Sequence, residues 1–184
     1  MRPKAGLRTR DALDQLRLDY EVIRKLLREY DGLRLVEGCT TARKAEIVDR
    51  LCDALSLNAQ IEEEVFYPVV RPVLGCNARA QAALWDHTPL RHLIARLDEM
   101  DPADPAYDDT VIDLGDCVLT RIEEARAVLF VEVRVVGLDT AALGEQMARW
   151  RRAQQQQDLT LVGLPQAPAV PAPGWPVDCR LTLA

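Results

Sequence analysis

Apolar residues recur at three- and four-residue steps along four long stretches of the chain, and a polar residue interrupts each stretch near its middle. The interruptions are Tyr20, Asn58 with Glu62, His87 and Arg121. That spacing is the helical period, so each stretch presents one face to a core. Polar groups on a core face are costly unless they pair with each other or bind something. Helices that each break their stripe once, at mid-length, assemble into a bundle with a polar layer across its middle. Metal and cofactor sites of bundles are built in such layers, from side chains on facing helices. The expected fold is all-α, an antiparallel up-down-up-down four-helix bundle.

The first segment, Asp11 to Tyr30, carries Leu13, Leu16, Tyr20, Ile23, Leu27 and Tyr30, with Asp31-Gly32 as its stop. The second begins at Thr40 or Thr41, either a suitable N-cap, and its stripe reads Ile47, Leu51, Leu55, Asn58, Glu62, Val65 and Val69. The third, Asn77 to Met100, places Ala80, Leu84, His87, Leu90, Ile94 and Leu97 in line. Pro89 removes a backbone donor there, which predicts a kink beside His87. The fourth, Ala106 to Val136, aligns Val111, Leu114, Val118, Arg121, Ala125, Val128 and Glu132. Its end, Val128 to Val136, is apolar nearly all round and needs a cover. A further amphipathic helix is expected from Thr140 to Gln157, followed by a non-helical tail rich in proline, Pro165 to Pro176. The predicted division is a helical domain over 1–158 and a Pro-rich tail over 159–184. The tail's Leu159, Leu161, Val162, Leu164 and Trp175 suit it to packing on the bundle.

Net charge is −6 with no long basic run, which argues against a nucleic-acid partner. No apolar run approaches the ~18 residues of a membrane span, and the N-terminal basic residues precede Asp11 rather than an apolar segment. A cytoplasmic protein is expected. The five cysteines are widely spaced, without a CxxC or Cys/His cluster, and read as reduced thiols. Both histidines, His87 and His92, fall on the third segment, so no site needing three imidazoles can come from one copy of this chain.

The run Asn58-Ala59-Gln60-Ile61-Glu62-Glu63-Glu64-Val65-Phe66-Tyr67-Pro68 resembles the second-helix motif of the hemerythrin HHE cation-binding family, roughly His-x-x-x-Glu-Glu-x-x-Phe-Tyr-Pro. The likeness continues through Leu13 to Tyr30, Asp86-His87, Leu129-Phe130 and Leu143-Gly144-Glu145-Gln146-Met147, and covers most of residues 11 to 150. It implies an antiparallel four-helix bundle around a di-iron or other cation site, held by imidazoles and carboxylates. Carried over position by position, most ligands differ. Tyr20 and Asn58 stand where the first and second helices would bring histidine, while Glu62 and His87 remain. Arg91 stands one turn after His87. On the fourth helix Arg121 replaces a histidine, and Ala125 and Arg126 take the carboxylate positions.

A guanidinium stays protonated and has no lone pair to offer a metal. Arg121 therefore reads as an internal substitute for the cation, paired with Glu62; the rival reading has it snorkel to solvent along its own stem. Tyr20 reads as a core tyrosine with its hydroxyl satisfied, His87 as a hydrogen-bonded core histidine, and Glu63, Glu64, Glu123 and Glu124 as a solvated face. There is no nucleophile–base pair, no phosphate loop and no second carboxylate on a stripe beside Glu62. The expectation is a non-enzymatic, metal-free bundle with a regulatory or binding role. Its partner is an unidentified protein or small molecule, with no nucleic acid and no membrane, and a homodimer is one way to cover the apolar end of the fourth helix. One alternative is an iron or other divalent-cation site at Glu62, His87 and Tyr20 that senses oxygen or redox state. A second is a small-molecule binder using the bundle cavity.

Overall fold

The computed structural model describes residues 11–35, 40–84 and 86–161, and every regular element among them is helical. Helix α1 (Ala12–Arg34) starts at Asp11, whose carboxylate accepts the Asp14 N–H at 2.8 Å. It runs through the expected stop at Gly32. Helix α2 (Thr41–Ile61) is capped by Thr40, as its hydroxyl accepts from the Arg43 N–H. A π-helical turn (Glu62–Phe66) joins it to α3 (Tyr67–Leu74). Short α4 (Ala78–Ala82) and then α5 (Thr88–Glu99) follow. Helix α6 (Pro105–Glu124) passes through a second π turn (Ala125–Leu129) into α7 (Phe130–Val135), and α8 (Thr140–Leu161) completes the described chain.

The contacts fix the topology. Going up α1, Glu21 meets Arg126, Arg24 meets Glu123 and Tyr30 meets Asp108, so α1 is antiparallel to α6 and α7. Lys44 at the start of α2 also reaches Asp108 at 2.8 Å, and Asn77 after α3 reaches Glu132, so α2–α3 runs with α6–α7. The Thr110 hydroxyl near the start of α6 touches the Met100 sulfur just past α5, which sets α5 antiparallel to α6. This is the up-down-up-down bundle that the stripes predict.

Leu13, Leu16, Ile23, Ile47, Leu51, Leu55, Ile61, Phe66, Leu90 and Leu114 are fully buried between the four layers. Each large aliphatic side chain removed from water contributes roughly 1.5–3 kcal/mol before conformational entropy is charged. At the end of α7 the chain reverses at Gly137 (φ 71°). The Leu138 N–H bonds to the Val133 carbonyl and the Gly137 N–H to that of Arg134, a closure that needs the left-handed residue glycine supplies. The apolar end of the fourth helix is covered on one side by the bundle, which buries Leu129, Phe130 and Val133, while Val131, Val135 and Val136 stay exposed.

Two expectations about boundaries are corrected. The third segment does not kink; it breaks. Its two helices are separated between Ala82 and Thr88, and Pro89 falls in the first turn of α5, where its missing N–H costs nothing. Helix α8 also outruns its expected end and takes in Leu159 to Leu161, since the first proline comes only at Pro165. Residues up to Arg151 form one compact unit, which contains the bundle. The expected packing of the Pro-rich tail concerns residues that, beyond Leu161, lie outside the described ones.

Asp108 joins the start of α6 to both α1 and α2. Burial would raise its carboxyl, but Lys44 and the Tyr30 hydroxyl outweigh that and hold it below the usual carboxylate range. A depressed carboxyl adds stability that is complete above its unfolded value and lost as pH falls through the folded one. Asp108→Asn should therefore flatten the loss of stability below about pH 4, which urea unfolding across that range would measure.

Candidate functional site

The polar layer forms around Glu62, the first residue of the π turn. Its side chain is 2% exposed. The Tyr20 hydroxyl donates to Oε1 at 2.7 Å and the Tyr67 hydroxyl donates to Oε2 at 2.6 Å. His87 Nε2 lies 3.2 Å from the same Oε2. The other ring nitrogen of His87, Nδ1, is 2.8 Å from Glu63 Oε1, and Glu63 also pairs with Arg91. Asn58 and His87 are buried along with Glu62 and Tyr20, so the structure gathers four of the five residues singled out from the sequence.

The π turn explains the arrangement. The Tyr67 N–H bonds to the Glu62 carbonyl, a five-residue step. In an α-helix residues five apart point well away from each other, but the wider turn returns Tyr67 to the face of Glu62. Three consecutive carboxylates fan outward from it. Glu62 enters the core, Glu63 reaches His87 and Arg91, and Glu64 accepts the Trp150 indole N–H at 2.8 Å. Glu63 is therefore part of the network and not simply a solvated side chain. The second π turn does the same for Phe130, whose N–H bonds to the Ala125 carbonyl. Its ring stacks on Tyr20 with centroids 5.9 Å apart and planes 6° from parallel. The Arg17 guanidinium lies over the Phe130 ring, 5.4 Å from its centroid. The Tyr67 and His87 rings also stack, 5.9 Å apart.

Burial first, and then the charge of Glu62, push the Tyr20 phenol well above its ordinary value, so Tyr20 holds its proton and donates it to Glu62. Burial alone would raise Glu63, yet the hydrogen bonds from Arg91 and His87 hold it below the usual range. Beside the layer, burial pushes the Asp19 carboxyl up and the Glu62 charge adds to this, against the opposing pull of Arg151 and Asn58.

Arg121 does not join the layer. It lies on the surface, 41% exposed, and its guanidinium binds Glu124 one turn on at 2.8 Å. The predicted Arg121–Glu62 pair is thereby overturned. After Val118 the stripe can continue at either the third or the fourth residue. Ile122 takes the core position, and the guanidinium avoids the cost of desolvation. Arg126 also lies outward, 3.7 Å from Glu21. Arg121→Ala should change stability by less than about 0.5 kcal/mol in urea unfolding, the usual size for an exposed pair. A loss of several times that amount would put the side chain back in the core.

Sequence reasoning did not single out Tyr67, left Glu63 on a solvated face, and did not reach Asp19 or Arg151. The first two stand inside the motif run, but a uniform 3.6-residue period points both away from the core. Asp19 and Arg151 are far apart in sequence and carried no signal.

Among the described residues no group of three or more His, Cys, Asp or Glu side chains converges in a way that could hold a metal ion. Both oxygens of Glu62 accept phenol protons, Tyr20 is held as the phenol, and both His87 nitrogens face carboxylates. A di-metal site needs several lone pairs aimed at a common point, and this donor set does not fit one.

The class of protein is now defined by both sequence and fold. The model of the Hemerythrin HHE cation binding domain matches residues 9–133, and the chain belongs to that family. It is 25% identical over 121 residues to a DNA nickase of Nostoc sp., a match that takes in 66% of this chain and 33% of the nickase. The chain thus spans about a third of that relative's length. A crystal structure of a hemerythrin HHE cation binding domain-containing protein from Mycobacterium kansasii has the same fold, with a TM-score of 0.62 over 84% of this chain and 92% of that one, at 21% identity. No helix among the described residues is long and apolar enough to cross a membrane.

Proposed function

We propose that this chain is a metal-free, non-catalytic member of its family, in which a hydrogen-bond network centred on Glu62 replaces the cation site and the bundle serves a binding or regulatory role. The observation that carries this reading is the state of Glu62. The one carboxylate kept from the motif accepts a tyrosine hydroxyl on each of its two oxygens. A buried carboxylate with a hydrogen bond on each oxygen is satisfied without a cation. The residues on the fourth helix agree: Ala125 has no donor, and Arg121 and Arg126 offer no lone pair and lie outside the layer. DNA nicking forms no part of the proposal, because the chain spans a third of the nickase and carries a net charge of −6.

Metal analysis of protein purified without a chelator or a metal-binding tag tests the reading. Less than about a tenth of an equivalent of iron, zinc or manganese is expected, with no change in melting temperature after chelator dialysis, because nothing that binds the native state is withdrawn. Stoichiometric metal, or a drop of ten degrees or so on chelation, would favour the rival reading of a cation site at Glu62, His87 and Tyr20.

A further inference from the structure

We propose that Arg151 on α8 is the fixed internal cation of the polar layer. Its guanidinium pairs with Asp19 and balances the carboxylates on the side of the layer formed by Tyr20, Asn58 and Glu62. The inference rests on the metal-free reading above and says which group replaces the cation.

Asp19 immediately precedes Tyr20 on α1, and the charges of Asp19 and Glu62 act on each other. Two carboxylates sharing a partly dry region repel, and something positive must offset them. The tyrosines that satisfy Glu62 bring hydrogen bonds but no charge. The other guanidiniums around the layer are engaged elsewhere: Arg17 with Asp14, Arg91 with Glu63, Arg121 with Glu124, Arg126 with Glu21 and Arg24 with Glu123. Arg151 pairs with Asp19, and both side chains are mostly buried, at 22% and 23% exposure. A guanidinium suits the place because it stays charged and its planar fork matches a carboxylate.

The helix that carries Arg151 begins after residue 133, where the family match ends. Its register is set independently of the ion pair. The Gln15 amide donates to the Gly144 carbonyl at 2.7 Å, Leu143 and Met147 are buried, and the Trp150 indole holds Glu64. These contacts place positions 150 and 151 against two elements of the layer at once, the π turn and α1.

A double-mutant cycle on the full chain tests the assignment, read by urea unfolding. Arg151→Met keeps the aliphatic stem and removes the charge, Arg151→Lys keeps the charge, and Asp19→Asn removes the opposing one. Arg151→Met should raise the unfolding equilibrium constant about tenfold or more, with Arg151→Lys recovering much of the loss. In the Asp19→Asn background Arg151→Met should have little effect, a coupling of about tenfold. If Arg151→Met does not fold, Asp19→Asn in the same chain should restore folding; failure to do so would overturn the proposal. Equal losses from Met and Lys, or additive effects in the cycle, would also overturn it and reduce Arg151 to packing. Metal analysis of the unmutated preparation keeps the two readings apart. Stoichiometric metal would overturn the metal-free reading and the Arg151 assignment with it, whereas additive effects in metal-free protein would overturn the Arg151 assignment alone.

Discussion

Glu62→Ala should destabilise the bundle by about 3–5 kcal/mol, because one substitution strands several buried polar groups. The Tyr20 and Tyr67 hydroxyls lose their acceptor and His87 loses one of the two carboxylates it faces, with all three side chains in the dry interior. Glu62→Gln keeps the shape and one acceptor oxygen, so its cost should be smaller, roughly 1–2 kcal/mol. For a domain of this size each kcal/mol lowers the melting temperature by roughly 2–4 °C, so calorimetry separates the two variants easily. A loss under about 1 kcal/mol for Glu62→Ala would mean that water reaches the layer and takes over the hydrogen bonds.

A comparably large loss, about 3–5 kcal/mol, is expected for Phe130→Ala. The ring is 2% exposed, stacks on Tyr20 and carries the Arg17 guanidinium on its face. Removing it opens a cavity beside the tyrosine that orients Glu62. The effect should therefore couple to the layer: Tyr20→Phe in the same chain should cost less than it does alone, since neighbouring residues do not add. Strict additivity in urea unfolding would show that Phe130 packs without positioning Tyr20.

Both predictions concern residues on either side of a π turn, and there lies the boundary between what was legible in the sequence and what was not. The apolar periodicity and the cap at Thr40 are local signals, and local signals are enough to specify helices, their order and their antiparallel packing. The residues Tyr20, Asn58, Glu62 and His87 were legible for the same reason, because each lies near the midpoint of its segment, where phase errors have not accumulated.

Beyond Glu62 and Ala125 a uniform period fails. Each π turn inserts part of an extra residue, so the buried positions become Phe66, Tyr67 and Val70 instead of Val65 and Val69, and Leu129, Phe130 and Val133 instead of Val128 and Glu132. The wider turn is poor in local energy, and its place is decided by the groups it delivers to the opposite helices, which makes it a tertiary choice. The side chain of Arg121 was settled in the same way. Both it and Ile122 satisfy the helical period after Val118, and only the packed core distinguishes an isoleucine that gains from burial from a guanidinium that loses its water. The pairing of Asp19 with Arg151 lies furthest from the sequence. It joins residues more than a hundred positions apart, and it exists only because α8 folds back along α1.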